Sequence, residues 1–354
     1  MRYAMLILPS ANRVYAESSV ELTAAELEIF AGAVLGGGIA DIAAEDIAGV
    51  SYVTFDSAPL DERATRFLAN LSSIYALFAV EGGGLLRPVP LHRLDRFDDD
   101  LVTIPKYAGK TNEQFTKLLL NATLMGSAFA DRMLERRFTV LDPLAGRGTT
   151  LNQAMMYGYD AYGVDRDQKD FEAYGAFIQR WLKEKRIKHK AEHGPVRRNR
   201  QVVGRRLQIT LAASKEDYKA ADTQRIDMVN ADTTRTLEFW KSGSVDLVVA
   251  DAPYGVQHGS RTAKGLDRGP LELLRVAAPA WAGALRPGGA LGLSWNTLVA
   301  DRAAAADILA GAGLEVVDTP AHRRLAHRVD QAIRRDVLIA RKPGDQQQSA
   351  RKPG

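Results

Sequence analysis

The chain has 354 residues, of which 46% are hydrophobic and 25% charged, and it contains no cysteine. This composition supports a sizeable core in two domains and excludes disulfides, thiol catalysis and cysteine-based zinc sites. The sequence has no run of eighteen apolar residues that would span a membrane, and its six histidines show no metal-ligand spacing. We therefore expect a cytoplasmic protein without a catalytic metal.

The first hundred residues predict a small α+β domain. Periodicity predicts strands at 3–8, 50–55 and 74–80 and helices at 23–35 and 61–73. This alternation ends near Pro88, Pro90 and the acidic turn at 98–100, where we place a domain boundary. Residues 1–100 are expected to form the first domain and residues 101–341 the second.

A short apolar strand, a glycine turn and a helical pattern follow one another between Phe138 and Gly158. Gly146 and Gly148 let the backbone approach a ligand closely, and the helix after them offers free N–H groups at its start. The third glycine of a dinucleotide fingerprint and the lysine of a phosphate-binding P-loop are both missing. The pattern predicts a nucleotide site of another type.

Four acids stand at or just after the ends of four apolar strands: Asp142, Asp165, Asp232 and Asp251. In a parallel sheet all four would meet at the carboxyl-end edge, where ligands of open α/β sheets bind. Asp165 stands where an acid binds ribose hydroxyls, and Asp232 could accept a hydrogen bond from an adenine amino group. Each acid alone could be a turn or helix-cap residue, whereas four in register predict a nucleoside site.

The last of these strands leads into Asp251-Ala-Pro-Tyr254, a pattern suited to holding a planar amine. Such an amine is a poor nucleophile because its lone pair is spread into the ring. The Asp251 carboxylate and the Ala252 carbonyl could each accept one N–H and turn the lone pair towards an electrophile, while Tyr254 stacks on the ring. An ordinary Pro-Tyr-Gly turn is the alternative.

The segments Asp142-Pro-Leu-Ala-Gly-Arg-Gly-Thr149 and Asp251-Ala-Pro-Tyr-Gly255 resemble motifs of the S-adenosylmethionine-dependent amino-methyltransferases. Within that superfamily, residues 105–341 are similar to the tRNA guanosine-N2 methyltransferases that modify position ten. In that fold the segment matching 106–112 packs near the methionine end of the cofactor. Ala252 departs from the family, which has proline there, so the carbonyl acceptor is kept and the rigidity is lost.

The resemblance implies an α/β class I Rossmann-like methyltransferase with a doubly wound, mostly parallel sheet and a small N-terminal α+β domain that binds RNA or is accessory. It implies S-adenosylmethionine as cofactor and guanine N2 in tRNA as methyl acceptor. The implied catalytic residues are Asp251, Ala252, Pro253 and Tyr254. The implied cofactor-binding residues are Lys110, Thr111, Asn112, Asp142, Pro143, Leu144, Gly146, Gly148, Thr149, Thr150, Asp165, Arg166, Asp232, Thr233 and Asp251.

Positive charge is concentrated between Arg180 and Arg206, where eleven Lys or Arg and two Glu give a local net charge of +9, against +4 for the whole chain. The distance from Asp165 to Asp232 is about twice what a simple βαβ step needs, so this basic segment is predicted to be an insertion. It could neutralise RNA phosphates or form a solvated loop and helix face. The candidate nucleic-acid contacts are Lys183, Lys185, Arg186, Lys188, Arg197, Arg198, Arg200 and, in the glycine-rich stretch after Asp251, Arg261.

Strands are predicted at 290–295, 314–317 and 337–341, and the tail 342–354, which repeats Arg-Lys-Pro-Gly, is predicted to be disordered. Three alternatives to a tRNA enzyme stay open: a DNA adenine-N6 or cytosine-N4 methyltransferase, a small-molecule or peptide N-methyltransferase, and a non-catalytic S-adenosylmethionine-binding protein. A DNA enzyme usually carries a sizeable target-recognition domain, so the compact N-terminal domain favours RNA. The sequence does not specify the oligomeric state or an activating subunit.

Overall fold

The computed structural model describes residues 1–10, 12–107, 109–252 and 269–344. Within these ranges the chain forms two sheets, and no helix combines the length and the hydropathy that a membrane crossing requires.

The N-terminal sheet is antiparallel. Its strands are β1 (Arg2–Ile7), β2 (Ile39–Ile47), β3 (Val50–Ser57), β4 (Ile74–Glu81) and β5 (Leu85–Val89). They lie in the order β2-β3-β1-β4-β5. Helices α1 (Arg13–Val34) and α2 (Glu62–Leu68) connect these strands, and α1 contributes many of its side chains to the hydrophobic core.

Several predicted bounds in this region are wrong. Helix α1 begins ten residues before the predicted start, because the Asn12 side chain caps it by accepting the N–H of Tyr15 at 3.1 Å. Helix α2 ends at Leu68, and the predicted strands omit β2 and β5 altogether. Pro88, used to mark the domain boundary, lies inside β5, where an edge strand tolerates proline.

The second sheet has ten strands. They are β6 (Thr139–Asp142), β7 (Asp160–Asp165), β8 (His189–Arg198), β9 (Gln201–Leu211), β10 (Gln224–Asn230), β11 (Val245–Asp251), β12 (Leu285–Asn296), β13 (Glu315–Val317), β14 (His327–Arg328) and β15 (Arg334–Arg341). Nine follow the order β13-β15-β12-β11-β6-β7-β10-β9-β8, and β14 pairs with β15. The five central strands, β12 to β10 in this order, are parallel.

Helices cover both faces of this sheet. They are α3 (Asp100–Thr103), α4 (Glu113–Gly126), α5 (Thr149–Met156), α6 (Gln168–Glu184), α7 (Lys215–Lys219), α8 (Thr236–Phe239), α9 (Pro270–Ala284), α10 (Arg302–Gly311) and α11 (Pro320–Arg323). Side chains of α4, α5 and α6 share one hydrophobic core with the N-terminal sheet, and those of α9 and α10 belong to a second core. The predicted doubly wound, mostly parallel Rossmann-like fold is thus confirmed.

A buried polar cluster joins α1 to this sheet's helices. The Glu26 carboxylate accepts from the Ser72 backbone N–H at 2.9 Å, the Ser72 hydroxyl at 2.6 Å and the Asn121 amide at 2.7 Å. Asn121 also donates to the Asn70 carbonyl at 2.8 Å and accepts from the Tyr157 hydroxyl at 3.0 Å. Burial raises the pKa of Glu26, and its hydrogen bonds oppose that rise.

The basic segment is ordered, since residues 180–184 end helix α6 and residues 189–206 belong to a β-hairpin; the predicted loop is therefore wrong, whereas the helix face is present. Strands β8 and β9 are joined by Asn199 and Arg200, whose φ angles of 48° and 64° are those of a type I′ hairpin turn. Asn230, at the end of β10, pairs with Arg205 of β9. Residues 201–204 therefore continue beyond the carboxyl end of β10.

The predicted disordered tail begins too early. The Lys342 ammonium donates to the carbonyls of Ala282 at 2.9 Å and Leu285 at 2.6 Å, and the Gly288 N–H donates to the Lys342 carbonyl at 2.9 Å. Residues 345–354 of the predicted tail lie outside the described residues.

Candidate functional site

The strand order reverses direction between β6 and β11, and ligands of open α/β sheets bind at the carboxyl ends of such a pair. Asp142 ends β6, Asp251 ends β11 and Asp165 ends the next strand, β7. The three carboxyls are close enough to interact, because Asp251 and Asp165 both raise the pKa of Asp142. The structure therefore brings these three predicted acids together.

The glycine turn leaves an open surface at this edge. Gly146 and Gly148 have φ angles of 49° and 78°, which disfavour other residues. A Cβ at Gly148 would lie 2.3 Å from the Tyr174 ring, whereas one at Gly146 would have no described heavy atom within 4 Å. The Gly146 N–H donates to Asp165 Oδ2 at 2.6 Å, which holds the turn against β7.

Asp142 is buried, with 3% of its surface exposed. Its Oδ1 accepts the Leu144 N–H at 2.9 Å, and the Thr150 side chain is a second hydrogen-bond partner. Loss of solvation nevertheless raises its pKa to about 7, with a smaller contribution from the neighbouring acids. A cationic ligand at this edge would stabilise the ionised form.

The hydrogen bonds of Asp165 are compatible with the predicted ribose contact, which stays a prediction. Its two carboxylate oxygens accept the N–H groups of Gly146 at 2.6 Å and Asp167 at 2.8 Å. Each oxygen keeps acceptor capacity for a ribose hydroxyl. Burial raises the pKa of Asp165. The next residue, Arg166, is exposed.

Asp232 caps the short 3₁₀ turn Thr233–Arg235 by accepting the Thr234 N–H at 2.8 Å and the Thr234 hydroxyl at 2.6 Å. The Thr233 hydroxyl is buried and accepts the Trp281 indole N–H at 2.9 Å. The cap role is observed, and the adenine contact of Asp232 stays a prediction.

The segment before α4 brings one of its three predicted residues to Asp251. The Thr111 hydroxyl donates to Asp251 Oδ2 at 2.5 Å. Lys110 instead donates to the Val102 carbonyl at 2.8 Å and to Glu113, and Asn112 caps α4. Thr149, at the glycine turn, shares a hydrogen bond of 3.0 Å with the Tyr107 hydroxyl.

Arg335 is a site residue that the sequence analysis missed. Its Nη2 lies 3.9 Å from Asp251 Oδ2, and its guanidinium carbon lies 4.0 Å from the centre of the Phe115 ring. Burial lowers its pKa, and the Asp251 carboxylate opposes that effect. No sequence signal could have found it, because β15 reaches Asp251 only through the sheet topology.

Ala252 is buried, and its N–H donates to the Ser294 carbonyl at 2.8 Å. It lines an apolar pocket with Leu144, Leu274 and Trp295, and Pro143 directly follows the last residue of β6. The predicted residues Pro253, Tyr254 and Arg261 lie outside the described residues.

The structure splits the candidate nucleic-acid contacts into two groups. Helix α6 ends at the amino-end side of the sheet, where Lys185 pairs with Asp98 at 2.8 Å and Asp100 at 2.5 Å. Lys183, Arg186 and Lys188 lie with it, and Arg197, Arg198 and Arg200 lie at the opposite end of the hairpin.

The residues at the carboxyl edge fit S-adenosylmethionine. Its sulfonium and ammonium are cationic and would relieve the mutual repulsion of the acids, while its ribose and adenine offer hydroxyl and amino donors. The open backbone at Gly146 gives such a ligand room. Among the residues with described positions, no group of three His, Asp or Glu is arranged to hold a metal ion.

Comparison with known proteins agrees with this geometry. The model of the UPF0020 family, described as an RMKL-like methyltransferase domain, matches residues 120–267. No curated protein matches the chain significantly.

Solved structures include TrmN from Thermus thermophilus, with 16% identity over 97% of this chain and 100% of that one and a TM-score of 0.42. Magnesium protoporphyrin IX methyltransferase from Synechocystis with bound SAM has 14% identity over 69% and 90% and a TM-score of 0.39. Residues 120–267 are therefore similar to a methyltransferase domain, in agreement with the Rossmann-like fold, and the cofactor is S-adenosylmethionine.

Proposed function

We propose that this domain methylates an exocyclic amino nitrogen of a nucleobase, with guanine N2 in tRNA as the substrate. The observation that carries the proposal is the position of Asp251. It ends β11 beside the glycine turn, directly before Ala-Pro-Tyr, which resembles the amino-methyltransferase motif except that alanine replaces the first proline. The concentrated basic charge at 180–206 supports a polyanionic substrate.

Asp251 is held in place from two sides. Thr111 donates a hydrogen bond to Oδ2, and the Arg335 guanidinium lies 3.9 Å away on a rigid support, the Phe115 ring. These contacts fix the carboxylate so that it can accept an N–H of the base amine. A base inside a stacked RNA must be extruded to reach this buried edge.

When bound, the cofactor supplies an electrophilic methyl group on its sulfonium. Methyl transfer would join the amine nitrogen to that carbon in place of the sulfur, and the nitrogen would then release one proton. The Asp251 carboxylate is placed to accept it. Rehybridising the nitrogen and placing it in line are the work of Asp251 and the backbone beside it.

The test is Asp251→Asn, which keeps the shape and removes the charge. We expect methyl transfer to fall about 100-fold or more, because an acceptor in the transition state is weakened, while affinity for S-adenosylhomocysteine stays within about twofold. Asp307→Asn is the matched control, since Asp307 is exposed on α10. Transfer is followed with labelled S-adenosylmethionine, and affinity by calorimetry.

Separate pools of unmodified tRNA, DNA and small metabolites identify the acceptor, and mass spectrometry of the nucleosides identifies the modified nitrogen. Label in DNA or in a small molecule, or transfer that survives Asp251→Asn, would contradict the proposal.

A further inference from the structure

The β8–β9 hairpin extends past the edge of the sheet that carries the site. From the pairing of Asn230 with Arg205, the residues beyond the end of β10 are 201–204 on one strand and their partners on the other. Four residues of strand span about 13 Å. The tip therefore stands above the carboxyl edge, on the same side as Asp142 and Asp251.

The tip carries cations without ion-pair partners among the described residues, whereas the cations in the rest of the hairpin are paired. Lower down, acids neutralise the basic side chains: Lys190 pairs with Glu192, Arg205 with Glu172, and Arg206 with the buried Asp227. In the part of the chain that the structure describes, Arg197 and Arg200 have no ion-pair or hydrogen-bond partner, and both are exposed.

The tip is nevertheless firmly placed. Val196 and Val203 pack against the hydrophobic core that contains Trp240. Arg198 donates to the Glu238 carbonyl, and Arg235 donates to the Val203 carbonyl at 3.5 Å. The two-residue turn at 199–200 holds the strands in register. The charges are thus presented on a fixed support.

We infer that the hairpin tip, through Arg197 and Arg200, binds the phosphate backbone of the RNA whose base enters the site. This inference rests on the proposed function for the identity of the polyanion. Val202, the cross-strand partner of Arg197, has 55% of its surface exposed and offers an apolar contact to a ribose or base.

The topology also predicts where on the RNA the tip binds. Four strand spacings separate β9 from β11, which is about 19 Å across the sheet. At 3.4 Å per stacked nucleotide, this corresponds to about six nucleotides. The tip should contact phosphates about six nucleotides from the methylated base.

The experiment measures binding of an unmodified tRNA transcript to the full chain without cofactor, over a range of KCl concentrations. The variant is Arg197→Gln/Arg200→Gln, and the matched control is Lys215→Gln/Lys219→Gln, which removes two exposed cations from α7 at the other edge of the sheet. Melting curves are recorded for both variants to check that they fold.

We expect the tip variant to lose about tenfold in affinity at 0.15 M salt and its slope of log K against log salt to decrease by about 1.5, as for two lost phosphate contacts. The control should change neither. Equal losses in both variants, no loss in the tip variant, or a preference for phosphatidylserine vesicles over tRNA would overturn the inference. This experiment measures binding and not methylation. If the chain bound tRNA through the tip but methylated no RNA, the proposed function would be contradicted and the inference about the tip would stand.

Discussion

Replacing Asp142 by Asn should stabilise the protein in the absence of ligand, and more so as the pH rises. Burial raises the pKa of this carboxyl from 3.8 to about 7. The folded chain therefore binds the proton more tightly than the unfolded chain does. That stabilisation is complete below about pH 4 and is lost as the pH rises through 7, where a bare carboxylate is buried.

A shift of this size is worth about 4 kcal/mol, at about 1.4 kcal/mol for each pKa unit. Asparagine can accept the Leu144 N–H in the same way but never ionises. We expect Asp142→Asn to exceed the wild type in unfolding free energy by about 4 kcal/mol at pH 8, by about half of that near pH 5.5, and by only about 0.5 kcal/mol near pH 4.

Urea unfolding followed by tryptophan fluorescence measures this difference at each pH. All four tryptophans, Trp181, Trp240, Trp281 and Trp295, are buried around the large sheet, so the signal reports the domain that contains Asp142. A difference that stays constant from pH 4 to pH 8 would refute the argument, because it would mean that Asp142 titrates normally.

Two further substitutions test the glycine turn and the support of Asp251. Gly148→Ala should lower the free energy of unfolding by about 2 kcal/mol or more and abolish S-adenosylhomocysteine binding, because φ is 78° and the new Cβ would lie 2.3 Å from the Tyr174 ring. The control is Gly32→Ala in α1, where the new Cβ has open space. Urea unfolding should show that this control is neutral or stabilising. Thr111→Val removes the hydroxyl that donates to Asp251 and should lower kcat about tenfold. Calorimetry should find the affinity for S-adenosylhomocysteine unchanged. An unchanged kcat would show that this hydrogen bond does not position the carboxylate.

The acids of the site were predictable because their placement depends on local pattern and one topological rule. An apolar strand ending in an acid recurs along the chain, and parallel strands bring their carboxyl ends together. Asp142, Asp165 and Asp251 needed no further information. Arg335 could not be found in this way, because its approach to Asp251 is set by an antiparallel strand from the far end of the chain.

The missed elements have local causes. Strand β2 is an edge strand rich in alanine and acids, so it lacks the apolar alternation that predicts a strand. In the basic hairpin, charged residues obscure the few apolar side chains that pack inward, which are Val196 and Val203 against one core and Leu207 in the other. Its Asn-Arg turn also lacks the glycine that usually indicates a two-residue hairpin loop.

The polar cluster around Glu26 determines how the N-terminal sheet can be treated in engineering or evolution. Purely apolar surfaces can slide past one another at little cost, whereas hydrogen bonds fail when their angles change. A chimera that receives a foreign N-terminal segment would lose Glu26 and the Asn70 carbonyl, the acceptors of the Asn121 amide, and the Asn70 carbonyl is also an acceptor of the Tyr157 hydroxyl. These two positions therefore have to be exchanged together with α1. The same hydrogen bonds also fix the spacing between the two sheets.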